Sequence, residues 1–321
     1  MIGEAKTSWA RWRDALRACR AGRYGEGHLR LAMRTLRWLR HAQRQDHWLQ
    51  RVGRSPILGQ AASADVRLLD RWQRPYLDRH FDAAARMDAI ETHYQHLSRH
   101  FPRRMRDRIL RGHDVRVAML QLENATPAYV HLRKPVDGRA GELGIYLLNE
   151  FKEALASCVV TFIRPHTLLI GSMEGAWSYM AEEAKREFVR ASCGLAPKDL
   201  LMSLLRAMAD TQSILHIRAV PHAAQAARLR SDDGDAFVRQ QGGIPDAAGH
   251  YDLPPVDLPE PETGSARRRM LALRREQVRR EACARFEQAF GGYPHGRVDM
   301  PPVSGVAEAS LDMAIMLRAS C

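Results

Sequence analysis

The sequence predicts an α+β protein, on three observations. Residues 1–110 repeat apolar side chains at helical spacing. Near residue 115 the texture changes to short β-branched and aromatic runs divided by turn residues such as Asn124, Pro127 and Pro165. Those runs follow one another too closely for crossover helices, so consecutive antiparallel strands are expected.

Taken in order, the helical region breaks at Gly22–Gly27 and Gly53–Pro56, and Pro75 follows a third helical piece. Ile90, Tyr94, Leu97 and Phe101 form one apolar stripe, ended by Pro102. Strands are predicted over Val115–Leu122, Ala128–Leu132, Gly144–Leu148, Cys158–Ile163 and Thr167–Gly171. A helix over Glu182–Ser192 is interrupted by Gly194, and a second starts at Pro197, a favoured first-turn residue, burying Leu201, Leu204, Leu205 and Met208. Ile214–Val220 reads as a buried strand, Asp235–Gln241 as a short helix stopped by Gly242–Gly243, and His250–Leu253 as a last short strand. A proline-rich linker, Pro254–Pro261, leads into an arginine-rich helix over 265–290; the tail holds one more small helix over 306–318. The expected divisions are a helical region 1–110, an α+β domain 111–263, a basic helix 264–290 and a tail 291–321.

Composition excludes several classes. With 45% hydrophobic and 27% charged residues the chain has material for a core and is no disordered protein. Its longest apolar stretch, Ala154–Ile163, is about half the ~20 residues a spanning helix needs. The first twenty residues lack an apolar centre, so no secretory signal is expected. Five cysteines (Cys19, Cys158, Cys193, Cys283 and Cys321) form no CxxC, which argues against a zinc ribbon, a redox motif or a disulfide framework. Reduced thiols and a cytoplasmic protein are the simplest expectation.

The net charge of +12 is uneven. Residues 1–60 hold 13 Lys/Arg against 4 Asp/Glu, and residues 264–290 hold 8 Arg against 3 Glu. The first flank sets Leu29, Met33, Leu36 and Leu39 at helical spacing with Arg30, Arg34, Arg37 and Arg40 between them. Two readings fit. The stripe packs on a core with arginines in solvent, or residues 1–60, together with the basic helix 264–290, lie on an anionic membrane surface, which makes the protein peripheral at the inner membrane. No zinc-finger spacing or RNA-recognition signature favours nucleic acid.

Five segments resemble the VirK/YbjX family when taken in order: RPYLDRHFDAAARMDAIETHY (74–94), GELGIYL (141–147), LLIGSMEG (168–175), CGLAPKDLLMSLLRAMAD (193–210) and GHYDLP (249–254), the last followed by the arginine-rich helix. This chain departs from the family in carrying Glu174 for a usual Gln and Ala196 for a usual Arg. The resemblance implies a bacterial protein of envelope-stress tolerance or virulence, with no settled reaction.

The order of elements also looks like that of the acyl-CoA-dependent N-acetyltransferase (GNAT-like) fold, which implies an acyl-CoA ligand at the loop before the central helix. Free backbone N–H groups and the dipole at a helix start make an anion site. Gly194, Leu195 and Lys198 occupy that place, although an ordinary helix start with an exposed lysine reads the same. Acyl transfer to an amine needs a base and an acid. Glu174, between glycines at a strand end, is the candidate base and Tyr251 the candidate acid; the alternatives are a solvated strand-end carboxylate and a half-buried strand aromatic. His93, His96 and His100 share a helical face as metal ligands can, but without HExxH or a carboxylate motif they read as histidines beside a core seam, and no metal is expected. Two functions stay open: an acyltransferase-like enzyme, or a non-catalytic accessory protein that binds a partner or an anionic membrane surface.

Overall fold

The computed structural model describes residues 8–21, 28–123, 126–136, 138–176, 178–227, 234–255 and 265–291. Six helices come first: α1 Ser8–Ala21, α2 His28–Arg40, α3 Ala42–Arg54, α4 Pro56–Ala64, α5 Ala83–His100 and α6 Arg103–Leu110. Five strands follow, β1 Val115–Gln121, β2 Pro127–Arg133, β3 Leu143–Leu148, β4 Ala154–Ile163 and β5 Thr167–Gly175. Helices α7 Tyr179–Ala191 and α8 Pro197–Thr211 lead to β6 His216–Ala219. Then come α9 Gly234–Gln240, β7 Ile244–Pro245, β8 Tyr251–Leu253 and α10 Ala266–Gly291.

Caps explain several helix starts. Ser55, Asp82 and Ser178 each accept a bond from a backbone N–H of the first turn of α4, α5 and α7. The expected stripe Ile90, Tyr94, Leu97 and Phe101 is buried. It seats α5 on β4.

The strands form one mostly antiparallel open sheet in the order β1-β2-β3-β4-β5-β6-β8-β7. β5 and β6 are its parallel pair, joined through α7 and α8. Both faces of β4 are buried at consecutive residues, so helices cover the sheet from both sides. α8 packs on β3 to β6, and α10 packs on α8 and β1.

Several expectations need correction. The piece before Pro75 is α4 and then two 3₁₀ turns, Val66–Leu69 and Arg71–Gln73, because Asp65 caps the first with its own carboxylate. Residues 76–79 then turn sharply at Leu77, whose φ is 57°: Leu77 N–H bonds Arg139 O at 2.7 Å, Ala226 N–H bonds Leu77 O, and Arg79 N–H bonds Ala224 O. β5 does not stop at Gly171 but reaches Gly175, since Gly171 sits at a bulge where the register with β4 shifts between Val159 and Val160. β4 starts at Ala154 rather than Cys158. β7 was not expected; two exposed residues carry no pattern to read. On α2 the apolar stripe points outward: Met33 and Leu36 are 57% and 70% exposed, whereas Arg34 and Trp38 are buried. The Gly22–Gly27 break, most of the proline-rich linker, the tail and the helix expected over 306–318 lie outside the described residues, as does the side chain of Leu29.

Gly171 is required by close approach. A Cβ there would stand 1.8 Å from Ala140 O and 3.1 Å from a Leu77 methyl. Both are held by the backbone bonds just described, so Gly171→Ala is expected to cost about 3 kcal/mol or more. Urea unfolding of the variant beside the parent measures this; a change below about 0.5 kcal/mol contradicts the packing.

Candidate functional site

The C-terminal half of β5 lies open on one side. Its pairing with β6 runs from Thr167–His216 to Ile170–Ala219 and then stops, while β5 continues through Glu174 and Gly175, still paired with β4. β6 ends at Ala219, so beyond the bulge β5 runs on past the end of its parallel partner. Glu174 is half-buried at the end of the open stretch.

The start of α8 faces this strand end. Its N-cap is Ala196, which offers no capping side chain, and Pro197 fills the first turn. Lys198 crosses to β5: its Cε lies 3.5 Å from where a Cβ on Gly175 would be, and its Nζ is 5.6 Å from the Phe237 ring of α9. Asp199 Oδ1 accepts from Gln241 Nε2 at 2.9 Å, and buried Arg206 donates to Gln241 Oε1 and to Pro254 O. These bonds tie α8 to the end of α9.

The structure thus brings Lys198 to the neighbour of Glu174. The other expected residues are placed differently. Gly194 closes α7, donating its N–H to Val189 O at 2.7 Å after Cys193 turns left-handed, a Schellman-type ending. Gly194 also abuts α10, with Arg275 Nη1 3.5 Å from its would-be Cβ. The Leu195 side chain is in the core, so only its backbone is near the loop surface. Tyr251 is buried on β8, two places from β5 in the sheet, and its hydroxyl accepts from Arg239 at 2.7 Å.

Two polar clusters escaped the sequence reading. In the first, the buried Arg71 guanidinium bridges Asp65 (2.8 Å) and Glu142, and Glu142 also accepts from the Tyr94 hydroxyl at 2.7 Å. Lys134 Nζ stands 3.4 Å from Asp65. Burial raises the Asp65 carboxyl, but Lys134, Arg71 and Arg67 together outweigh it and hold the group well below the usual carboxylate range. Burial, with Glu142 adding to it, pushes the Tyr94 phenol up. In the second cluster, buried Asp78 takes His250 Nε2 at 2.9 Å and the His80 N–H at 2.7 Å. The sequence signal was a charged residue inside a family segment: Asp78 in RPYLDRHF, and Glu142 in the otherwise apolar GELGIYL.

The histidine row is not a metal site; among the described residues no group of His, Cys, Asp or Glu is placed to hold a metal. His93 is fully buried and accepts from the Phe162 N–H at 3.3 Å. His96 stacks on the Phe162 ring and meets Gln212 Oε1 at 2.6 Å.

A family model described as a protein of unknown function (DUF535) matches residues 25–277. The chain belongs to this family. The uncharacterized protein YbjX of Escherichia coli (strain K12) is 25% identical over 220 residues, covering 64% of this chain and 67% of that protein. The expected kinship with YbjX therefore holds. A solved mutant of a cAMP-binding acyltransferase from Mycobacterium smegmatis aligns at 12% identity with a TM-score of 0.29, over 66% of this chain and 64% of that one, which is less than two thirds of its length. Among the described residues no helix is long and apolar enough to cross a membrane.

Removing Arg71 strands two buried carboxylates. Arg71→Met is expected to cost about 3–5 kcal/mol, read by urea unfolding at neutral pH. The histidines set a pH dependence. Burial pushes His96 down to about 4, against the bond it donates to Gln212 Oε1, which raises it, and burial holds His93 well below its ordinary value. Both bind fewer protons folded than unfolded, so stability is full above about pH 6.5 and falls as the pH drops toward 4, by up to about 1.4 kcal/mol per pH unit for each histidine. Unfolding curves at several pH values should show a smaller slope for His96→Gln; an unchanged slope refutes the assignment.

Proposed function

We propose that this chain is an acyltransferase-like protein of GNAT-like fold, which takes an acyl-CoA beside β5 beyond the end of β6 and transfers the acyl group to an amine. The observation that carries this reading is the parallel pair itself: β6 ends at Ala219 while β5 runs on past the Gly171 bulge to Gly175, with the start of α8 set against that strand end. The order β6-β8-β7 at the far edge also supports a GNAT-like sheet.

The residues present fit such a ligand. An unpaired strand edge suits the amide-bearing arm of acyl-CoA, as it suits an added peptide strand. The uncapped start of α8, with Lys198 on one side and Arg275 beside Gly194, suits its diphosphate. The bound acyl-CoA supplies the thioester. Glu174 takes the proton of the attacking amine as nitrogen bonds the carbonyl carbon. The C–S bond would break, and the departing thiolate would take its proton from Tyr251, whose hydroxyl is bonded to Arg239 in this structure. Envelope-stress tolerance is the setting that the family resemblance implies.

A second reading, a non-catalytic accessory protein that binds a partner or an anionic membrane surface, draws on the engagement of Gly194 in ending α7 and of the Tyr251 hydroxyl by Arg239. Calorimetric titration with acetyl-CoA and with a long-chain acyl-CoA separates the two. The expected result is saturable binding, weakened at least about tenfold by Lys198→Glu. Glu174→Gln should bind as the parent does and lose transfer by about 10²–10⁴-fold. No binding to either ligand by the folded protein overturns the acyltransferase reading.

A further inference from the structure

The face of α2 is decided by a buried ion pair. Arg34 Nε meets Asp70 Oδ2 at 3.4 Å with both side chains 3% exposed, and Arg34 Nη1 donates to Cys19 Sγ at 3.0 Å and to Val66 O. Trp38, one turn on, is fully buried with its ring edge-on to Trp12. At 100° per residue, Met33, Leu36 and Leu39 must then lie on the opposite side. They are 57%, 70% and 60% exposed. Arg40 falls among them and Arg37 beside them, and α2 contains no acidic residue.

We infer that this face of α2 docks on an anionic lipid bilayer. Its three apolar side chains span about 9 Å along the helix axis, one ridge on the face that a helix lying in the interface plane buries. The charges around the ridge are positive, as anionic headgroups require. A second copy of the chain would set Arg37 and Arg40 against themselves. Nucleic acid would leave the leucines in water, since phosphate contacts need cations and no apolar ridge. The inference is separate from acyl transfer: it invokes neither β5 nor α8.

The test is co-sedimentation of the full chain with vesicles of phosphatidylcholine containing about one-third phosphatidylglycerol. Binding is expected to weaken as salt rises. The double variant Met33→Asp/Leu36→Asp should bind about tenfold or more weakly, and Arg37→Gln and Arg40→Gln about fivefold each. These side chains are solvent-exposed or half-buried, so circular-dichroism melts should match the parent. Met270→Asp/Leu273→Asp on exposed α10 should leave vesicle binding in place. The inference is overturned by any of these results: no vesicle binding, equal binding to pure phosphatidylcholine, or binding lost with the α10 variant and kept by the α2 variant. It is equally overturned by self-association that Leu36→Asp abolishes, or by binding to duplex RNA without binding to vesicles.

Discussion

A guanidinium buried between two carboxylates joins the N-terminal helices to the sheet. Arg71 comes from a 3₁₀ turn, Asp65 from the end of α4, Glu142 from the start of β3, and Tyr94 from the middle of α5. Four separate stretches of chain therefore meet at one group. Such a cluster is costly to desolvate and is held only when every member is satisfied, which makes it demanding of geometry more than generous in stability. With Arg71 in place, α5 lies against β4, and Leu77 is bonded to the loop at Arg139. The Ala140 carbonyl of that loop, with the Leu77 side chain, crowds Gly171 at the bulge of β5.

β5 pairs with β6 for four residues and then, still paired with β4, runs on to Glu174 and Gly175. The start of α8 reaches it because the connection between α7 and α8 is short and tightly turned, with Cys193 and Gly194 both at positive φ. The same turn that ends α7 leads into α8, whose Lys198 lies beside Gly175, while Arg275 of α10 lies beside Gly194.

A second buried arginine acts in the same manner at the N-terminus. Arg34 faces Asp70, which immediately precedes Arg71, so α2 is locked to the same 3₁₀ segment that anchors the sheet. The hydrophobic effect alone would turn Leu36 inward. An ion pair already desolvated at Arg34 forbids that rotation, since it would strand Asp70.

Much of the architecture was legible in the sequence. Helical spacing located α5 and α8 and their buried faces; alternation and turn residues located β1 to β5; Pro197 marked where α8 begins; the ordered family segments identified the family. These are local signals, carried by neighbours along the chain. What the sequence could not supply were choices made between distant residues. Gly171 looked like a strand end and is a bulge, because Ala140 and Leu77 press on it from elsewhere. Gly194 looked like a ligand loop and also ends a helix. The apolar stripe of α2 fitted a core face and a membrane-surface face alike, and it points outward because Asp70 holds Arg34. Sequence periodicity determined which elements form; the tertiary structure decided which face each element buries, because a buried charge must meet its partner wherever in the chain that partner lies.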